Sequence, residues 1–476
     1  MIATAQRAWW PLAVPLAVIL AMVLVAVMMV SPLPPGTTLV LTAQVLMALL
    51  AFVHRPVWLL ASLTVGQLTS ANYMVALGGL EVSTKLVWTV AAPVLLLPLV
   101  ARFGLDLGPR AGRLIAPMVI FFALTMLSNA IYTDPGYTFK YFRYTAFWLV
   151  TVFLFPILAR EERDIKLLSV VVLIAGTISG VLAVIQHYSL WAWRFAIAPT
   201  FGEDFGHRVF GLAEAPPQLT WGLAPIVVAL IGVFFLSGIR GIKAWCMVVS
   251  GLAMSLGMYF SYTRTAPYAV AAGGLAMGLF FAGRLRREFL LALLLAGAGF
   301  WWYTDMQGNR YDNTSFTEDR SGATRMVFWQ AGLNIVKDNP VLGMGHRDYE
   351  KTSVEYENTI SAGYLAAFEA GQSLGTAPVH NDFLNIWLSF GTPAFLLFLL
   401  LFGAVFWNFI EAFRRADSPF LKGLSLGGAG AVAAYAVNAF LHNIMDSSAV
   451  FFILAGLSLA LTRLAWKTPE KGHNAG

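Results

Sequence analysis

Residues 375–410 read GTAPVHNDFLNIWLSFGTPAFLLFLLLFGAVFWNFI. The first part is polar and broken by Gly375 and Pro378; the second is an apolar run with the length of a membrane-crossing helix. His380, Asn381 and Asp382 sit at the junction, with nine residues between Asn381 and Gly391. An imidazole held where water meets hydrocarbon is costly, so His380 is a functional-site candidate by default.

The rest of the chain repeats such apolar runs. Of 476 residues, 58% are hydrophobic and 12% charged, with a mean hydropathy of +0.70, whereas soluble domains carry about 25% charged residues. The fold class is therefore all-α, a polytopic transmembrane helical bundle of about 12–14 helices. Spans are expected at 10–30, 38–53, 57–76, 86–101, 114–131, 143–159, 167–186, 219–236, 244–260, 268–283, 289–303, 383–410, 423–441 and 447–462. The first run reads as a retained helix rather than a cleaved signal.

Arg102, Arg110 and Arg113 share one short loop; Arg160, Arg163 and Lys166 share another; Arg414, Arg415 and Lys422 share a third. Short basic loops face the cytoplasm, so both termini are expected inside. The formal charge of +6 is scattered over these loops instead of covering one soluble face, which argues against a nucleic-acid partner. Cys246 is the single cysteine, so no intrachain disulfide is possible.

The chain divides into transmembrane helices over 1–303 with a shorter external loop at 187–218, a large external segment over 304–382, and the last helices with a cytoplasmic tail over 383–476. Within the large segment, RMVFWQAGLNIVKDNP has apolar residues at helical spacing and stops at Asn339-Pro340. A second helical stretch is expected over 348–368. A connection this long is functional or disordered, and its helical periodicity favours function.

Three external positions hold cations, or a group that becomes one, close to expected helix ends. Arg208 lies in HRVFGLAEAPPQLTWG, Arg264 in the short turn YFSYTRTAPY, and His380 opens the helix quoted first. An arginine fork matches phosphate oxygens, and helix N-termini add backbone donors to an anion. Two such groups facing one pocket would suit a diphosphate. Each position also has a plain structural reading: arginines at helix ends snorkel or pair with carboxylates, and a histidine at a helix start caps it. Arg325, Asn381, Asp382, Asn385 and His442 are supporting candidates. No P-loop, no H-E-x-x-H and no Asp-x-Asp pair is present, which leaves no sign of nucleotide hydrolysis or of a metal-held nucleotide sugar.

Together these stretches resemble the O-antigen ligase and polymerase superfamily of bacterial membrane glycosyltransferases over roughly residues 200–460. The ligase pattern is His, then Asn, Ser or Gln, nine residues, Gly, two residues, then Gly, Thr or Tyr. His380, Asn381 and Gly391 fit it, and Ala394 departs at the last place. RMVFWQAGLNIVKDNPVLGMG is similar to the segment preceding that motif, SYTRTAP to a Ser-x-(Ser/Thr)-Arg turn, and RVFGLAEAPPQLTWGLAP to an Arg-x-x-Gly stretch before a helix. The resemblance implies a glycan donor carried on undecaprenyl diphosphate, held by Arg208 and Arg264, with His380 as the base toward an acceptor hydroxyl. It implies inversion at the anomeric carbon, no metal or other cofactor, and an active site on the periplasmic side of the bacterial inner membrane. The acceptor is lipid A-core for a ligase, a glycan repeat for a polymerase and a protein for an oligosaccharyltransferase; the ligase is slightly preferred. A lipid-linked glycan transporter is the competing non-enzymatic expectation, although neither inverted repeats nor midplane charges are visible.

Overall fold

A computed structural model describes residues 35–69, 74–77, 80–189, 191–192, 208–213, 215–281, 283–307, 320–346, 356, 379–445 and 448–467. Helices within them are α1 (Pro35–Val53), α2 (Val57–Thr69), α3 (Thr84–Phe103), α4 (Gly112–Tyr132), α5 (Pro135–Leu158), α6 (Glu162–Tyr188) and α7 (Pro216–Leu236). They continue as α8 (Ile242–Phe260), α9 (Thr265–Gly278), α10 (Gly283–Gln307), α11 (Arg320–Asp338), α12 (Asp382–Arg415), α13 (Pro419–Leu441) and α14 (Val450–Lys467). Every one except α11 falls on an expected span. The expected span 10–30 and the second helical stretch 348–368, Tyr356 apart, lie outside the described residues, as does most of the 187–218 loop. Among the described residues seven helices are long and apolar enough to cross a membrane, and the protein is a polytopic helical membrane protein.

One expected span is too long. Helix α2 is described over Val57–Thr69, and the last residues of the expected span 57–76 belong instead to strand β1 (Met74–Leu77), which pairs antiparallel with β2 (Leu80–Ser83), Leu77 opposite Leu80. In the sequence, Gly78-Gly79 between MVAL and LEVS is a hairpin signal, and strand pairing wins over the apolar run that suggested continued helix. The hairpin sits beside a bundle that is otherwise helical.

Small residues set how closely the bundle packs. Helix α13 carries Gly423, Gly427 and Gly430 on a face turned to α7 and α9. A Cβ on Gly232 of α7 would fall 2.5 Å from the Gly423 carbonyl oxygen, and one on Gly273 of α9 would fall 2.8 Å from that of Gly430. Bare backbones therefore meet, which is how helices gain van der Waals contact inside lipid. Around the other side of the bundle the core is aromatic: Trp148 stacks on Phe452 at 5.1 Å and Phe402 on Phe451 at 4.4 Å, arrangements that add about 0.5–1.5 kcal/mol beyond burial.

One end of the bundle is tied together by ion pairs. At the end where α12 stops, the Glu411 carboxylate meets Arg110, Arg113 and Arg415 at 3.3, 3.0 and 3.5 Å, and Arg463 donates to the Ala159 carbonyl oxygen at 2.9 Å. The basic loops thus gather at the end opposite His380.

The helix quoted at the outset is not continuous. Gly391 has φ 79° and ψ 176°, so Asp382–Phe390 is one helical piece and Thr392–Arg415 another. The expected single span over 383–410 is corrected accordingly. The second piece, 24 residues at about 1.5 Å each, still crosses a bilayer. The loop after α11 fills the break: Thr392 N donates to Pro340 O at 2.8 Å, Met344 N to Leu388 O at 3.0 Å and Gly345 N to Ser389 O at 2.8 Å. The short first piece packs against α11, with Leu384 and Leu388 against Gly332. It forms a small separate core with Phe328, Ile335, Val336 and Val379.

Candidate functional site

The break at Gly391 turns the start of α12 into a platform for His380. That residue has φ 54°, a left-handed conformation that costs a non-glycine side chain about 1–2 kcal/mol. Ties on either side hold it there. The Val379 carbonyl accepts from Trp329 Nε1 at 3.1 Å, and Asn381 N donates to Asn443 Oδ1 at 2.9 Å. Asn381 then caps the helix through its side chain, which accepts from Leu384 N at 3.0 Å. Asp382, 1% exposed, accepts from the backbone N–H groups of Ile444 and Met445 at 3.0–3.2 Å. Its carboxylate fastens the segment after α13 to the start of α12.

Among the described residues, one other non-glycine residue has positive φ: Tyr262, at 49°. It lies in the Ser261–Arg264 turn between α8 and α9, so both strained positions fall in stretches singled out by sequence, where strain tends to cluster. The turn is stitched internally. Ser261 Oγ donates to Met258 O at 2.6 Å and lies 3.0 Å from Thr263 Oγ1. Arg264 is half-buried and stands at the N-cap of α9. Arg208 reaches the same turn from the far side of the α6–α7 connection. Its Nε donates to Ser261 O at 2.9 Å and its Nη2 to Thr263 Oγ1 at 3.3 Å.

His442 closes the circuit. It follows α13 directly, is 7% exposed, lies 3.5 Å from Thr265 Oγ1 through Nε2, and has its ring 5.5 Å from that of Trp221. A polar belt thus runs from Arg208 through Ser261, Thr263 and Thr265 to His442 and Asn443, and on to Asn381 and His380. Arg325, in the first turns of α11, faces both histidines electrostatically. Burial, then the Arg325 charge, lowers the His380 imidazole to about 4. His442 is pushed well below its usual range by burial, then by Arg325, His380 and Arg208. Both shifts favour the neutral ring, the form in which an imidazole accepts a proton.

The structure brings His380, Arg208, Arg325, His442 and the turn carrying Arg264 to one end of the bundle. Asn381 and Asp382 are placed as backbone ties. Glu203, Asp204 and Glu214, the carboxylates nearest Arg208 in sequence, lie outside the described residues. Sequence reading missed Asn443, Thr263 and Thr265. Their types carry no signal by themselves; only adjacency to His442 and Arg264 marks them.

Residues 249–399 match the family described as O-antigen ligase. That match covers the Ser261–Thr265 turn, α11 and His380–Gly391, and supports the O-antigen ligase and polymerase superfamily for this chain, a family of glycan-processing membrane enzymes. No curated protein matches the chain.

Proposed function

We propose that the chain is a metal-independent, inverting glycan transferase, moving a saccharide from undecaprenyl diphosphate to an acceptor at the outer face of the inner membrane. The observation that carries this reading is the belt that joins Arg208, the Arg264 turn, His442 and His380, segments distant in sequence. A diphosphate is the ligand whose charge and size answer such a cluster of cations beside neutral imidazoles.

The chemistry follows from where charge develops. The acceptor hydroxyl attacks the anomeric carbon as its proton passes to His380. The bond between that carbon and the diphosphate oxygen breaks, and the electron pair leaves with the diphosphate. Arg208 and Arg264 stabilise the charge growing on the leaving group, the role of preorganised donors in a water-poor site. Bound diphosphate also places negative charge beside His380 and offsets Arg325, which raises the imidazole from about 4 toward neutrality. The donor therefore improves the base that its own transfer requires.

Lipid A-core is the preferred acceptor, with the polymerase reading close behind. Ala394, which departs from the ligase pattern, is fully buried just past the kink. Its identity bears on helix packing, not on contact with an acceptor.

The test is reconstitution of the purified chain with a lipid-diphosphate glycan and separate acceptors, with chelator and without nucleotide. New glycosidic product on lipid A-core supports the ligase, product on a second lipid-linked repeat supports the polymerase, and movement of intact lipid without product overturns transfer altogether. In the same assay Arg264→Lys is expected to lower kcat/KM by about 10–100-fold, since an ammonium cannot reproduce the planar fork. Equal activity with lysine would remove the bidentate role. Arg325→Gln is expected to move the acid limb of kcat/KM to higher pH. Removing a like charge favours imidazolium, so the free-enzyme pKa of His380 rises from about 4, and activity is lost earlier as pH falls. An unmoved acid limb would show that Arg325 does not act on His380.

A further inference from the structure

Gln186 on α6 makes an unusual set of bonds for a residue inside a membrane helix. It is 2% exposed. Its Oε1 accepts from Gly211 N at 2.9 Å and from Phe210 N at 3.3 Å, while its Nε2 donates to Gly211 O at 3.1 Å. Two turns earlier on the same face, Ser179 Oγ accepts from Leu212 N at 3.1 Å. Gly211 has φ 58°, and a Cβ there would fall 2.5 Å from the Ser179 carbonyl oxygen, so the strap lies directly on the helix. The three residues so fastened begin two positions after Arg208. On its other side Val209 N donates to Phe260 O at 3.4 Å, and Arg208 itself bonds Ser261 and Thr263. Residues 208–212 are therefore strapped between α6 and the Ser261–Arg264 turn.

We infer that Gln186, assisted by Ser179, is a positioning residue for Arg208: it fixes the backbone from which the guanidinium reaches the donor's diphosphate. This rests on the diphosphate reading above. The chemistry is selective for an amide. A carboxylate accepts from Phe210 and Gly211 but cannot donate to the Gly211 carbonyl, and an aliphatic chain does neither and takes the amide oxygen away from two buried N–H groups. Placement errors of about 1 Å in a group that stabilises a transition state are enough to cost activity. Gln186 touches no substrate; it acts through Arg208.

The experiment measures steady-state transfer with the donor and acceptor varied separately, and with inorganic pyrophosphate as a competitor. Gln186→Leu is expected to raise the donor KM and the pyrophosphate inhibition constant together, by about tenfold, the equivalent of one or two lost hydrogen bonds. Acceptor KM stays within about twofold. Ser179→Ala, which removes a single oxygen, should move the same two constants about threefold. On an Arg208→Lys background the Gln186→Leu effect on donor KM should largely vanish, because residues acting through one group are not additive. A purely structural role would lower kcat through the folded fraction and leave every KM and the inhibition constant in place; that result, or full additivity with Arg208→Lys, overturns the inference. If Gln186→Leu does not assemble, Ser179→Ala decides. Should Arg208→Lys leave donor KM and pyrophosphate inhibition unchanged, the diphosphate role of Arg208 fails and this inference with it. Should Arg208→Lys be impaired while Gln186→Leu and Ser179→Ala are not, only the positioning role fails.

Discussion

His380→Asn is expected to lower transfer by about 10²–10⁴-fold, the usual range for loss of a general base, while the protein still inserts and folds. Asparagine is the informative replacement because it tolerates left-handed backbone better than other residues, so the φ of 54° at position 380 survives the change. The side chain stays polar and short, and the neighbouring ties do not involve the imidazole: Trp329 bonds the Val379 carbonyl and Asn443 bonds the Asn381 N–H. Loss of activity with an unchanged melting transition in detergent would thus report chemistry. Donor KM should change little, since the arginines remain. Transfer at the parental rate by this variant would remove His380 as the base and shift attention to His442, the other neutral imidazole of the belt.

Strain and function coincide at this position for a physical reason. A left-handed histidine is disfavoured by about 1–2 kcal/mol, so the flanking hydrogen bonds have to over-determine it. Those bonds aim the ring at the region that also contains Arg325 and His442, and they prevent the ordinary helical start that would turn it away. The same logic holds at Tyr262, whose positive φ makes the sharp turn that brings Thr265 next to His442.

How far the sequence reaches can be judged residue by residue. Apolar length located the bundle because hydrocarbon thickness imposes it, and Asn339-Pro340 located the end of α11 because proline cannot continue a helix. What apolar length cannot see is a break carried by one glycine. The run around Gly391 is apolar on both sides, so 383–410 looked like a single crossing. The partner that demands the break, Val341, is fifty positions away in sequence. The α2 boundary failed for a related reason: residues 70–77 are apolar enough for helix, and only the Gly78-Gly79 pair argued otherwise. In the candidate site, charge and motif singled out Arg208, Arg264 and His380. Thr263, Thr265, Asn443 and Gln186 are ordinary polar residues whose meaning comes from what they touch, and that information is nonlocal.

Gly391→Ala is the second change expected to have a large effect, and it acts on stability first. A Cβ at this position would stand 2.1 Å from the Val341 carbonyl oxygen and 2.3 Å from its carbon, both backbone atoms that cannot rotate away. The residue also has φ 79°. Strain and overlap together should cost on the order of 3–5 kcal/mol, at the severe end of single substitutions. Gly104 separates the two terms. It has φ 74°, and a methyl group there would meet nothing within 4 Å, so Gly104→Ala should cost only the backbone term of about 1–2 kcal/mol. Thermal unfolding of both variants in one detergent is the measurement. If the Gly391 variant is no less stable than the Gly104 variant, the close seat of the 340–345 loop in the break is wrong. The loss should also reach function ahead of unfolding. Relief of the overlap can come only by moving the loop off Ser389 and Thr392 or by straightening α12, and straightening would swing the Asp382–Phe390 piece away from α11 and carry His380 away from Arg325 and Asn443. Activity in Gly391→Ala is therefore expected to fall at temperatures where the bundle is still folded.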